Sequence, residues 1–290
     1  MKNASSEADD NWTLVVSSKP KWLHLHLKDV WRYRDLILMF VKRDFQISYK
    51  QTILGPLWFI IQPLLSTLML LFVFGGIANI ATPGIPKILF YISGLTVWNY
   101  FASCFNKTSN TFTSNAGVFG KVYFPRLATP ISIVISTMVT FLIQFALFLC
   151  FLIYFILFKG LSFHFTPYLL IIPYLVLIMG AMGLGLGIII SSLTTKYRDL
   201  INLVAFGVQL LMYCSTVAYP LSTPWLVGKK RLFILANPMT SVIESFRYAF
   251  FPQGNFRWEL LGYTSVFTIV VVFIGILLFN RTEKTFMDTV

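Results

Sequence analysis

Charge is scarce in this sequence of 290 residues. Asp, Glu, Lys and Arg together make up 12%, about half the share found in soluble domains. The eleven acidic residues are scattered over the N-terminal segment, the loops and the tail. They form no carboxylate cluster for acid–base work, which counts against a membrane enzyme of glycan assembly. No H-E-x-x-H or Cys-x-x-Cys occurs, and Cys104, Cys150 and Cys214 lie far apart within apolar runs. Neither a metal site nor a disulfide frame is expected. His24 and His26 form an alternating pair of the kind more often solvated than metal-bound. No G-x-x-x-x-G-K-[ST] is present, and the nearest stretch, "VGKKR" around Gly228, lacks the earlier glycine. The chain is therefore not expected to hydrolyse ATP by itself, and it calls for no cofactor of its own.

Apolar residues are abundant. They make up 57% of the chain, and the mean hydropathy is +0.74. A membrane helix needs about 20 apolar residues. Six stretches qualify: 54–80, 86–106, 127–158, 167–193, 200–221 and 259–280. The third is long enough to tilt or to project from the bilayer. The spans hold almost no ionisable groups, so ion-coupled carriage is disfavoured. Pro63 and Pro173 can kink a helix but bind no ion. The net charge of +12 belongs to loops at a membrane rather than to nucleic-acid binding.

The first 26 residues contain acidic groups and no apolar core segment, so they read as a mobile lead-in rather than a secretory signal. Sixteen Lys and Arg fall on the side of the two termini and seven on the other. That bias places both termini in the cytoplasm. The last outer loop is the exception, with Lys229, Lys230, Arg231, Arg247 and Arg257. The tetrapeptide Tyr-Arg-Asp-Leu occurs twice, at 33–36 and 197–200, each time just before an apolar run on the cytoplasmic side. Shared location at a membrane boundary explains both copies without an internal duplication.

Residues 27–52 read as an amphipathic helix lying in the membrane interface. Leu27, Val30, Trp31, Ile37, Leu38, Val41 and Phe45 share one side, and Lys28, Arg32, Asp35, Lys42, Arg43 and Gln46 the other. Arg34 and Met39 interrupt this division. Residues 222–258 are too polar and too broken by Pro and Gly for a span, yet too apolar for a free loop. A pair of short re-entrant helices fits, with Asn237 and Pro238 at the turn and Glu244 paired to Arg247 three residues on. In the fourth stretch, Gly183 and Gly187 form a G-x-x-x-G that favours close packing within the protomer.

The run "WRYRDLILMFVKRDFQISYKQTILGPLWFIIQP" from residue 31 resembles the membrane subunits of type-2 ABC exporters for surface polysaccharides: O-antigen and capsule permeases, with teichoic acid permeases as cousins. The matching elements are Tyr33 to Leu36, Arg43-Asp44, Tyr49 to Thr52, Leu54-Gly55, Trp58 and Gln62-Pro63. Ser48 stands where that family often has Arg. "GKVYFPR" (120–126), "KYRDL" (196–200) and "ANPMTSVIESFRYAF" (236–250) resemble further family elements, and the likeness runs from about residue 20 to the C-terminus. It implies an all-α integral membrane fold with six transmembrane helices, an N-terminal interfacial helix and outer re-entrant helices before the last span. Residues 1–26 then precede the interfacial helix 27–52 and a transmembrane domain 53–290.

The resemblance also implies a homodimer in a bacterial inner membrane, bound to two copies of a separate ATPase subunit that carries ATP and Mg. The substrate class is polysaccharide linked to polyprenyl diphosphate. The coupling segment 107–126 offers Asn115, Gly117, Lys121, Tyr123 and Arg126 for ATPase docking. Arg32, Arg34, Arg43 and Lys50 are candidates to meet the lipid diphosphate or ordinary anionic lipid. Trp58, Phe59, Tyr213 and Tyr219, on spans that line the dimer pore in that family, are candidates to line the conduit. Asn237, Pro238, Glu244 and Arg247 belong to a unit that gates the outer mouth. The alternatives are a type-2 permease for a drug or lipid, a glycan-assembly enzyme, and a channel or scaffold without an ATPase.

Overall fold

A computed structural model of the chain describes residues 31–50, 53–82, 84–119, 124–161, 166–195, 197, 199–224, 226–251 and 256–289, with backbone alone for 48, 49 and 283–289. The lead-in 1–26 lies outside the described residues. The described residues form helices joined by turns, with no strand among them. In chain order the helices are α1 Arg34–Tyr49, α2 Trp58–Leu70, α3 Lys87–Ser109, α4 Thr111–Phe119, α5 Ala128–Lys159, α6 Ile172–Thr194, α7 Leu200–Tyr213, α8 Lys229–Ala236, α9 Pro238–Phe250 and α10 Trp258–Thr289. Helix α2 opens with a 3₁₀ turn, Gly55–Leu57, and runs on as a π-helical stretch, Leu71–Ile77.

Among the described residues, five helical segments are long and apolar enough to cross a membrane: Gly55–Ile77, Lys87–Ser109, Ala128–Lys159, Pro167–Thr194 and Trp258–Thr282. The chain is a multi-pass membrane protein. The expected span at 200–221 is only partly helical. Helix α7 ends at Tyr213 after 14 residues, roughly 21 Å at 1.5 Å per residue, which falls short of a hydrocarbon core of about 30 Å. Its continuation, Ser215–Leu221, is a buried irregular segment. Pro173 lies in the first turn of α6, directly after the 3₁₀ helix Pro167–Ile171 that leads into it. Pro63 lies inside α2, and Thr67 Oγ1 donates to the Pro63 carbonyl at 2.7 Å.

Helix α3 is the least apolar of the five and the most enclosed: 78% of its most apolar window is buried, against 17% for the first span. Ser93, Thr96 and Asn99 on α3 thus avoid lipid. Thr96 donates to the Ile92 carbonyl and Asn99 to Gln144 of α5. Helix α6 packs between α3 and α10, and glycines permit both contacts. A Cβ on Gly183 would stand 2.6 Å from Cys104 Cβ, and one on Gly187 would stand 2.6 Å from Thr108 Cβ. On the other side of α6, a Cβ on Gly275 of α10 would meet the Gly185 carbonyl at 2.8 Å. Backbones can approach this closely only where side chains are absent.

The bundle has two distinct ends. At one, Ile37 and Phe40 of α1 join Phe112 and Phe119 of α4, Phe124, Leu127, Ile188 and Phe279 in an apolar cluster. At the other, Phe145 and Phe148 of α5 receive Phe246 and Phe250 of α9, with Phe148 and Phe250 4.9 Å apart. Ala218, Tyr219, Leu221, Leu226 and Ile234 form a smaller cluster there.

Candidate functional site

At the first end, α1 is fastened to α4. Arg43 donates from Nη2 to Asn115 Oδ1 at 3.5 Å and lies 2.8 Å from Asp44. Its guanidinium sits 4.7 Å from the centroid of the Phe40 ring. Asn115 is 7% exposed and donates to the Thr111 carbonyl, one turn back. Two sequence candidates from different groups, Arg43 and Asn115, therefore meet. Arg126 lies over Phe119 at 5.6 Å. Gly117 is exposed, and a Cβ there would meet nothing within 4 Å. The exposed outer face of α4 is therefore available to another surface. Lys121 and Tyr123 lie outside the described residues. Arg32, Arg34 and Lys50 are exposed, and Arg34 stands 3.9 Å from Asp35.

At the second end, Asn237 and Pro238 separate α8 from α9. Asn237 Oδ1 accepts from Met239 N–H at 3.0 Å as a helix cap, and Pro238 takes the first helical position. Asn237 Nδ2 also donates to the Cys214 carbonyl at 3.1 Å. Arg247 is 1% exposed. It donates to the carbonyls of Thr216 at 2.5 Å, Val217 at 3.1 Å and Phe90 at 3.1 Å. Glu244 lies 3.5 Å away on the same helix, and the Phe90 ring centroid is 3.5 Å from the guanidinium carbon. Burial lowers the Arg247 pKa to about 10 against the opposing pull of Glu244, so the group stays charged at neutral pH.

This arrangement explains how the chain tolerates irregular backbone in an apolar setting. Where α7 stops, the carbonyls of 214, 216 and 217 lose their helical partners. Each unsatisfied group would cost several kcal/mol away from water. Asn237 and Arg247 replace those partners with side-chain donors. The pairing of Glu244 with Arg247 followed from their spacing, but the carbonyl receptors did not, because they lie 30, 31 and 157 residues away in the chain. Gly94 was the available sign: a glycine in the middle of a span marks a close approach.

The four aromatic candidates separate. Trp58 is 44% exposed and Tyr213 43% exposed. Phe59 stacks on Phe45 of α1 at 6.0 Å. Tyr219 is buried, and its hydroxyl donates to the Tyr213 carbonyl at 2.6 Å. Burial raises the Tyr219 pKa to about 12, so the phenol keeps its proton. Tyr213 and Tyr219 also line an open cleft of about 410 Å³ together with Cys214, Lys229, Lys230 and Phe233. The sequence reading missed the last four as a group.

The family model described as "ABC-2 type transporter" matches residues 35–251. The O-antigen export system permease protein RfbA of Klebsiella pneumoniae is 28% identical over 254 residues, covering 88% of this chain and 94% of the relative. RfbA of Myxococcus xanthus is 24% identical over 266 residues, covering 91% and 98%. The polysialic acid transport protein KpsM of Escherichia coli is 27% identical over 249 residues, covering 85% and 93%.

Proposed function

Since the chain belongs to the ABC-2 type transporter family, we propose that it is the membrane subunit of an ATP-driven exporter of lipid-linked surface polysaccharide. The observation that carries this reading is the near full-length match to permeases named for O-antigen and polysialic acid export. These relatives do not favour the drug-or-lipid alternative. The chain acts as a permease, and ATP hydrolysis resides in a separate subunit.

The α1 end faces the cytoplasm, in keeping with its excess of Lys and Arg. There α4 docks the ATPase through a face that includes Gly117, with Asn115 beneath it. The tie from Asn115 to Arg43 carries a displacement of α4 into α1 and so to the bundle. The basic residues Arg32, Arg34 and Lys50 draw the polyprenyl diphosphate of the substrate to this rim. Two copies of the chain enclose the conduit. Supporting this, α7 is short and buries only Val208. It leaves Leu203, Phe206 and Leu210 exposed, a face that a second copy would cover. The α8–α9 unit forms the outer mouth, and Arg247 holds it to α3.

Polymer movement needs faces that hold sugar rings without trapping them, and exposed aromatics such as Trp58 and Tyr213 have this property. Depletion of the chain followed by fractionation tests the function. The expected result is lipid-linked polymer accumulating on the cytoplasmic face of the inner membrane while surface glycan falls. Normal surface glycan with no inner pool, in cells without a redundant exporter, would overturn the reading.

A further inference from the structure

The run Lys229-Lys230-Arg231 opposes the charge bias of the rest of the chain, because it lies on the side poor in Lys and Arg. Its surroundings give it a use. Lys229 and Lys230, at the start of α8, border the cleft of about 410 Å³, a volume within the range of about 300–1,000 Å³ seen for small-ligand sites. Both ammonium groups are on exposed residues, and neither has an ion-pair partner among the described residues. Two like charges on adjacent residues repel each other unless an anion lies between them or water screens them.

Three aromatic rings line the rest of the cleft together with Cys214 and Ile234. Phe233 follows one helical turn after Lys229 and Lys230 and is 66% exposed, Tyr213 is 43% exposed, and Tyr219 is nearly buried. The Tyr219 hydroxyl is committed to the backbone carbonyl of Tyr213, which holds the Tyr219 ring in place. Flat apolar faces beside unpaired cations suit a ligand with both a C–H-rich ring face and a negative charge. A neutral sugar would leave the lysines without a counter-charge. A bare phosphate would leave the rings unused.

We propose that this cleft is a subsite for one anionic sugar unit of the exported polymer, with its ring against Tyr213 and Phe233 and its carboxylate or phosphate on Lys229 and Lys230. The inference rests on the polysaccharide-export reading and adds a substrate class to it. The lysines select charge, while the aromatic walls let successive units slide past. An anionic lipid headgroup has the same charge but lacks the ring.

Cys214 supplies the test, since it lines the cleft and is partly exposed, whereas Cys104 is fully buried. Cys150 is exposed elsewhere and is removed as Cys150→Ser. The full permease with its ATPase subunit is placed in phosphatidylcholine nanodiscs. Alkylation of Cys214 by N-ethylmaleimide is then timed with an oligogalacturonate and with a neutral malto-oligosaccharide of equal length. The acidic oligomer is expected to slow alkylation about tenfold at roughly ten times its dissociation constant, by occupancy alone. The neutral oligomer leaves the rate unchanged, and Lys229→Gln with Lys230→Gln abolishes the protection without shifting Tm. Phe233→Ala weakens it.

Equal protection by the two oligomers, or none by either, would overturn the proposal. So would protection that survives loss of both lysines. If phosphatidylglycerol in the nanodisc slows alkylation by itself and cancels the effect of sugar, the cleft binds headgroups instead. Failure here, with surface glycan still lost on depletion, removes the anionic subsite and leaves export standing. Normal surface glycan on depletion removes export itself.

Discussion

Gly94 of α3 leaves open the space that the Arg247 guanidinium of α9 fills. A Cβ at position 94 would stand 2.5 Å from Arg247 Nη2 and 3.3 Å from Val217 Cα. The guanidinium cannot swing aside cheaply, since its donors are spent on three backbone carbonyls and Glu244. Gly94→Ala is therefore expected to destabilise the protein by about 1–3 kcal/mol, the usual cost of overpacking. A thermal melt of the purified protein in detergent reads this directly, and an unchanged Tm would contradict the contact.

Arg247→Met removes the donor to the three carbonyls and breaks the buried ion pair with Glu244. The expected loss is about 3–5 kcal/mol. Pairing it with Glu244→Gln removes the buried negative charge that Arg247 had balanced, so the double variant should melt above Arg247→Met alone. A double variant less stable than either single change would show that the two residues do not act as a pair.

Arg43→Ala and Asn115→Ala each cut one bond between α1 and α4. Their effects on stability should fall short of additive by roughly 0.5–1.5 kcal/mol, the net worth of one hydrogen bond. Either change should also lower ATP turnover that depends on the permease, with ATPase binding retained. Full additivity would indicate that the 3.5 Å contact carries no coupling.

Gly117 stands in open space on α4. Gly117→Ala should leave the stability unchanged or raise it by up to about 1 kcal/mol, read as an equal or higher Tm, because alanine favours helix. Gly117→Trp should fold as well but reduce co-purification of the ATPase subunit. Unimpaired co-purification would move the docking face away from this residue.

Sidedness can be read with single cysteines. Lys107→Cys, at the end of α3, should react with an impermeant maleimide only in inverted vesicles, and Lys229→Cys only in intact spheroplasts. Labelling of both from the same side would invalidate the orientation drawn from the Lys and Arg bias.

Long apolar helices were legible in the sequence because hydropathy reports burial in lipid or protein alike, and five of the six stretches carry helices of spanning length. The stretch 200–221 is largely apolar but helical only in its first part. Its apolar run continues through Cys214, Val217 and Ala218, yet the helix stops at Tyr213. Hydropathy registers side chains, whereas this break is stabilised by donors to backbone carbonyls from Asn237 and Arg247, and no local pattern encodes them. The aromatic candidates show the same limit. Tyr213 and Tyr219 are six residues apart in an apolar segment and line the same cleft, but one is exposed and the other buried. The Arg43–Asn115 contact joins residues 72 apart, and neither neighbourhood signals the other.

The buried arginine also sets an order of assembly. Thr216 and Val217 leave the ribosome 31 and 30 residues ahead of Arg247, and Phe90 well before either. Their carbonyls must wait for a donor that has not yet been synthesised. Until α9 arrives, the nascent protein exposes a frayed, polar seam beside a finished α3, and the arriving cation finds shelter only if that seam has stayed open. The seam therefore closes only once α9 has been made. A chain truncated before residue 247 keeps the apolar helices up to α7, lacks α10, and leaves those carbonyls without their arginine donor.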